Sequence, residues 1–218
     1  MIMYAKCFDI GGTQIRGALI GPNGIIKQVK EPTLAKGNVA ALMNQLRELF
    51  GKLDADNIEI AAVSIGCAGP VSGTSMLGSK PLEIFETIDF AKELKDIVKK
   101  PIFVANDLNM AVRAELKWGK GRDCSNFCLV TLSTGIGVGV VVQSQVLNHR
   151  IEPGHSLVET DPAKANECHG HHGCWAAQAS GSGIEATLLR QGKKQTATEF
   201  FKNPDERLLS EIRDYNAR

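Results

Sequence analysis

Short apolar blocks alternate with helically spaced ones along the first half of this chain. Ala5 to Phe8 and Ile15 to Ile20 are two apolar runs joined by Asp9-Ile10-Gly11-Gly12-Thr13, which predicts a hairpin with an acidic, glycine-rich turn. Gly24 to Val29 reads as a third antiparallel strand. Asn38 then caps a helix whose residues Val39, Leu42, Met43, Leu46, Leu49, Phe50 and Leu53 follow helical spacing, so one face packs on a sheet. Ile58 to Cys67 is nearly unbroken in its apolar character and opens into Gly66-Cys67-Ala68-Gly69-Pro70, the pattern of a buried parallel strand ending in a glycine-rich loop. Asp89 caps a second helix carrying Phe90, Leu94, Ile97 and Val98; Pro101 ends it, and Ile102 to Ala105 forms a short buried strand that stops at Asn106-Asp107. A third helix, with Leu108, Ala111, Val112 and Leu116, runs toward Gly119 and Gly121, which read as a hinge.

The second half opens by repeating the first. Phe127 to Leu132 is an apolar strand, Ser133-Thr134-Gly135-Ile136-Gly137 a turn and Val138 to Val142 the return strand. A duplicated hairpin in an alternating pattern of strands and helices predicts an α/β protein of two lobes, residues 1–118 and 119–218, around a cleft. Further on, a helix starts near Ser182, Thr196 and Glu199 form a capping box, and Asn203-Pro204 with Glu206 opens a last helix with the apolar stripe Leu208, Leu209 and Ile212.

The 218 residues carry 25 basic and 24 acidic side chains, a balance that leaves no electrostatic footprint for nucleic acid or an anionic membrane. The N-terminal apolar run is broken by Lys6 and Asp9, too soon for a signal peptide or a span, so a cytoplasmic protein is expected. Of six cysteines, Cys7, Cys67, Cys124 and Cys128 sit singly in apolar or strand-like sequence and read as buried thiols, whereas Cys168 and Cys174 lie among histidines and read as metal ligands.

Three places carry candidate chemistry. In the first turn, glycines without a Cβ let backbone N–H groups reach an anion, Thr13 adds a hydroxyl, and Asp9 suits a metal ion or its water. Two such turns facing one another would grip the phosphates of a nucleotide from both sides. Asp107, after a buried strand and before a helix, is placed either to cap that helix or to take a proton from an attacking hydroxyl. Cys168, His169, His171, His172 and Cys174, preceded by His155, offer more soft and borderline ligands than a tetrahedral zinc needs.

Taken together, DIGGT from Asp9, GCAGPV from Gly66, Asn106-Asp107, TGIGVG from Thr134, EPGH from Glu152, the Cys/His cluster ending at Cys174 and Ser180-Gly181 resemble the ROK group of sugar kinases and related repressors, in order and over essentially the whole chain. The resemblance implies the actin-like ATPase (ribonuclease H-like) fold and phosphorylation of a hexose or amino sugar by ATP with Mg²⁺. It implies Asp107 as general base, with Asn106, Glu152, His155 and Gly69 around the sugar. Asp9, Gly11, Gly12 and Thr13 would serve phosphate and Mg²⁺, with Thr134 and Gly135 opposite. It further implies a homodimer.

The family's zinc pattern, Cys-x-Cys-Gly-x-x-Gly-Cys, counted back from Cys174 puts Glu167 and His169 where cysteines are expected, with Cys168 between them. The ligand set this implies is His155, Cys168, His169 and Cys174, with Glu167 as the substitute for Cys168; Zn²⁺ so held would stiffen the sugar loop rather than act in catalysis. Two departures bear on substrate choice. Ala176 stands where the family has a sugar-binding glutamate, with Gln178 as a replacement, and Gly78-Ser79-Lys80-Pro81-Leu82 stands where an asparagine is usual. The family continues beyond the helices reached here, so the second lobe is expected to be C-terminally incomplete. A non-catalytic sugar sensor of the same fold is the alternative to a kinase; the absence of a helix-turn-helix before Asp9 speaks against a DNA-binding repressor, and the retained Asp107 against a dead site.

Overall fold

A computed structural model describes residues 3–34, 36–147, 152–168 and 170–217. The chain divides into two compact units, Met1–Met110 and Ala111–Arg218, the division falling inside one helix.

In the first unit, β1 (Tyr4–Ile10), β2 (Gln14–Gly21) and β3 (Gly24–Pro32) form an antiparallel meander. After α1 (Val39–Lys52) comes β4 (Ile60–Cys67), then the small strands β5 (Val71–Ser72), β6 (Ser75–Met76) and β7 (Ile88–Asp89), the single turn α2 (Phe90–Glu93), β8 (Ile102–Asn106) and α3 (Asp107–Trp118). The main sheet has the order β3-β2-β1-β4-β8, with β4 parallel to both β1 and β8. The apolar stripe of α1, with Leu42, Met43, Leu46 and Leu49, joins Phe8, Ile10, Ile15 and Ile65 in one core. Asn38 caps α1 through a bond from Ala41 N–H at 3.0 Å, as its residue type and position predict. The second helix is shorter than its spacing predicts. Asp89 does cap it, accepting from Ala91 and Lys92, but Leu94 already leaves helical geometry, and Ile97 and Val98 are reached by turns that bond back to the Leu94 carbonyl.

In the second unit, β9 (Phe127–Leu132), β10 (Ile136–Val142) and β11 (Gln145–Val146) form an antiparallel sheet of order β11-β10-β9. A 3-10 turn (Pro153–His155) leads to the ribbon β12 (Glu167–Cys168) and β13 (His171–His172), then α4 (Trp175–Ala179), α5 (Gly181–Arg190), α6 (Ala197–Lys202) and α7 (Glu206–Ala217). Ile136, Ile184, Leu188, Phe200, Leu208 and Ile212 make its core. Thr196 and Glu199 complete the expected capping box of α6.

The two hairpins repeat in form but not in burial. Ile10 pairs with Ile15 to close the first turn, and Leu132 with Ile136 to close the second. On that side of the first hairpin Ile10 and Phe8 are 0% and 6% exposed beneath α1, whereas Leu132 and Val130 are 55% and 41% exposed. The expectation that the four single cysteines are buried fails for the same kind of reason. Cys67 is buried and Cys7 half-buried, but Cys128 lies on the uncovered side of β9 and Cys124 in an exposed turn before it. Among the described residues, no helix is long and apolar enough to cross a membrane.

Candidate functional site

The first turn is tightly held. Gly11 N–H donates to the Gln14 carbonyl at 3.0 Å, the Thr33 hydroxyl donates to the Gly11 carbonyl at 2.7 Å, and Ala68 N–H donates to the Ile10 carbonyl at 3.2 Å. Thr13 and Asp9 stand exposed at its rim, Asp9 with an Arg16 nitrogen 3.6 Å away. Gly12 has a reason for lacking a side chain that the sequence did not reveal, because a Cβ there would run into the Pro81 carbonyl. The loop carrying Pro81 also grips the neighbouring strand end. Buried Ser79 donates its hydroxyl to the Ala68 carbonyl at 2.5 Å and accepts from Leu82 N–H at 3.3 Å. Residues 78–82 therefore brace both the Gly-Gly turn and the loop after β4.

At the end of β8 the two neighbouring polar residues divide the work. Asn106 caps α3, its amide oxygen accepting from Leu108 N–H at 3.0 Å and Asn109 N–H at 3.3 Å, while its amide nitrogen donates to the Gly69 carbonyl at 3.2 Å. Gly69 and Asn106, both expected at the sugar, are thus joined to each other. Asp107 is the first residue of the helix rather than its cap, and its Oδ1 accepts from Leu108 N–H at 2.9 Å. Burial raises its carboxyl above the ordinary carboxylate value; the Leu108 N–H favours the anion, and the negative charge of Asp9 again raises the pKa. A carboxyl tuned upward at a strand end suits proton abstraction better than an ordinary one. Buried Cys67, the register partner of Asn106 in the sheet, is pushed up to about 12 by burial and by the Asp107 charge, so it stays a thiol.

In the second unit the turn Ser133–Gly135 leaves Thr134 and Gly135 exposed, and among the described residues a Cβ on Gly135 would meet nothing within 4 Å. Glu152 precedes the 3-10 turn and is exposed; His155 N–H donates to its carbonyl at 3.0 Å, which couples the two residues.

His155, Cys168, His171 and Cys174 bring one ligand atom each to within 4.8 Å of the others. The His155 Nδ1 lies 3.7 Å from the Cys168 sulfur and 3.8 Å from the Cys174 sulfur. Ligand atoms about 2.0–2.3 Å from a tetrahedral zinc stand a little under roughly 4 Å apart, so these separations fit. Among the described residues, the buried Nε2 of His171 has no hydrogen-bond partner, which is what a nitrogen reserved for a metal looks like. The ribbon explains the choice of ligands. Cys168 pairs with His171 and Glu167 with His172, so period-two alternation puts Cys168 and His171 on one face and Glu167 on the other. Glu167 instead accepts from Gly170 N–H at 2.8 Å and closes the turn. His169 lies outside the described residues. His171 was legible in principle: a glycine at position 170 marks a tight turn, and across it Cys168 pairs with His171.

Gln178, the replacement expected at the sugar, is committed elsewhere. It is buried, accepts from Asn166 N–H at 2.7 Å and donates to the Lys164 carbonyl at 3.1 Å. Its amide holds the loop before the ribbon.

The sheet order and the paired hairpins define an actin-like ATPase fold. The chain belongs to the ROK family, whose pattern matches residues 5–213. It is 32% identical over 207 residues to an N-acetylmannosamine kinase from Escherichia fergusonii, covering 92% of this chain and 69% of that protein. It is 31% identical over 201 residues to a glucokinase from Thermotoga maritima, covering 89% and 62%. The chain thus spans about two thirds of the length of these relatives. The solved structure of a ROK hexokinase from Thermus thermophilus superposes with a TM-score of 0.77 at 24% identity, over 99% of this chain and 74% of that one.

Proposed function

We propose that this chain carries the sugar- and phosphate-handling residues of an ATP-dependent kinase acting on a hexose or amino sugar. The observation that carries the reading is Asp107: a half-buried carboxyl raised by burial at a strand end, with the helix cap already supplied by Asn106. In this reading Asp107 takes the proton from the attacking sugar hydroxyl as its oxygen bonds the γ-phosphorus of ATP and the bond from that phosphorus to the bridging oxygen breaks, releasing ADP. Asn106 and Gly69, with Glu152 and His155, orient the sugar. Asp9, whose exposed carboxylate stands beside the Gly-Gly turn, is the group that would hold Mg²⁺, directly or through water. Bound there, the metal would supply charge neutralisation on the transferring phosphoryl group. Gly11, Gly12 and Thr13, and in the second unit Thr134 and Gly135, present backbone and hydroxyl donors to the nucleotide phosphates.

Zinc belongs to the same proposal. His155, Cys168, His171 and Cys174 would hold it, and because His155 closely follows Glu152 the metal would fix the sugar loop without touching the reacting atoms. A homodimer, as the resemblance implies, and a cytoplasmic location complete the reading, and sedimentation checks the first.

The test is sugar-dependent release of ADP across hexoses and N-acetylhexosamines, with Asp107→Asn beside the parent. Turnover by the parent that falls by about 10²-fold or more in the variant, at unchanged sugar affinity, supports the reading. Sugar binding with no ADP release by the parent would point to a sensor instead.

A further inference from the structure

The β9–β10 turn is held from one side by the start of α5. Gly181 N–H donates to the Ser133 carbonyl at 2.8 Å and Ser182 N–H to the Thr134 carbonyl at 3.2 Å. The first N–H groups of a helix have no acceptor within it, and these two of α5 are spent on the turn. The helix end is therefore not itself an anion site.

The consequence falls on the other side of the turn. A trans peptide holds its C=O and N–H pointing in opposite directions, and no peptide among the described residues is cis. With the carbonyls of Ser133 and Thr134 drawn onto α5, the N–H groups of Thr134 and Gly135, which share those two peptide planes, are turned away from it. The turn has room beside it, since among the described residues nothing lies within 4 Å of a Cβ on Gly135 and Thr134 and Gly135 are both exposed. Gly181 also touches the turn closely: a Cβ on it would stand 3.1 Å from the Ser133 carbonyl oxygen and 3.6 Å from the Thr134 Cα.

The geometry points to Gly181 as the positioning residue of this turn. Its N–H and its missing Cβ seat the Ser133 carbonyl against α5, and that seating aims the N–H groups of Thr134 and Gly135 at a nucleotide phosphate. The inference rests on the reading of this turn as a phosphate site. It adds that the aim is set from α5, on the side away from the phosphate.

Gly181→Pro isolates the effect. Ser180 has φ −79° and ψ 170°, the extended conformation that precedes a proline, and the first helical position tolerates proline. The variant keeps α5 while deleting the N–H and setting a ring against the Ser133 carbonyl. Leu189→Gly, on an exposed part of α5, weakens the same helix without touching the turn. Calorimetric titration with Mg·ATP should give about tenfold weaker binding for Gly181→Pro and about threefold weaker for Gly181→Ala, with Leu189→Gly within about twofold of the parent despite a lower melting temperature. Gly181→Pro binding within about twofold of the parent, or Leu189→Gly losing as much affinity as Gly181→Pro, would overturn the inference. If Gly181→Pro does not fold, Gly181→Ala decides, and parental affinity in it overturns the inference equally. A parent that binds no Mg·ATP would instead defeat the phosphate reading itself, a failure visible before any variant is made.

Discussion

Cys168 and His171 are register partners on the two strands of the ribbon, and this pairing selects both for one face while turning Glu167 and His172 to the other. Two histidines one residue apart are thereby given different roles. His171→Ala should lower zinc affinity by about 10-fold to 100-fold or more, while His172→Ala should leave it unchanged, as read by elemental analysis and competition with a chelator. Equal losses in the two variants would mean that the histidines do not act by strand alternation.

Asp107 has a carboxyl raised mainly by burial and further by Asp9, so the pH dependence has a definite sign. The acid limb of kcat/KM should lie above the ordinary carboxylate value of about 3.9, and Asp9→Asn should move it down without restoring that value, because burial remains. A folded pKa above the unfolded one means the folded state holds this proton more tightly. The stability it contributes is present below the unfolded value and is lost as pH rises through the raised folded value. Asp107→Asn should therefore melt at a higher temperature than the parent at neutral pH and lose that advantage in acid. An advantage that persists or grows in acid would contradict the burial of a charged Asp107.

Gly12 and Gly135 occupy corresponding turns but meet different surroundings. A Cβ on Gly12 collides with the Pro81 backbone, whereas one on Gly135 meets nothing within 4 Å among the described residues. Gly12→Ala should cost about 1–3 kcal/mol of stability and disturb residues 78–82, while Gly135→Ala should leave the melting temperature nearly unchanged and weaken Mg·ATP binding. Differential scanning calorimetry and nucleotide titration separate the two effects. A stable Gly12→Ala would mean that the 78–82 loop yields freely.

Cysteine labelling should follow exposure. Cys124 and Cys128 should react quickly with a maleimide in the native chain, and Cys67, a buried thiol pushed up to about 12, only after unfolding. Mass mapping of the labelled sites reads this directly, and early modification of Cys67 would show that the sheet around Asp107 opens in solution.

Local spacing determined much of the first unit. The three-strand meander, the stripe and cap of α1, the continuous apolar run of β4 and the turn at Asn106-Asp107 all follow from patterns within one element, where side-chain period and capping chemistry act over a few residues. The ROK motifs likewise located the candidate site in the sequence. What tertiary structure decided depends on partners far along the chain. Asn106 took the cap because its amide also reaches Gly69; Gln178 was lost to the sugar because the 164–166 loop uses both ends of its amide; and Gly12 had to be glycine because Pro81 lies against it. The two hairpins read alike, yet Ile10 is covered and Leu132 is not, since burial depends on which other element lies over a strand and the strand's own pattern does not encode that.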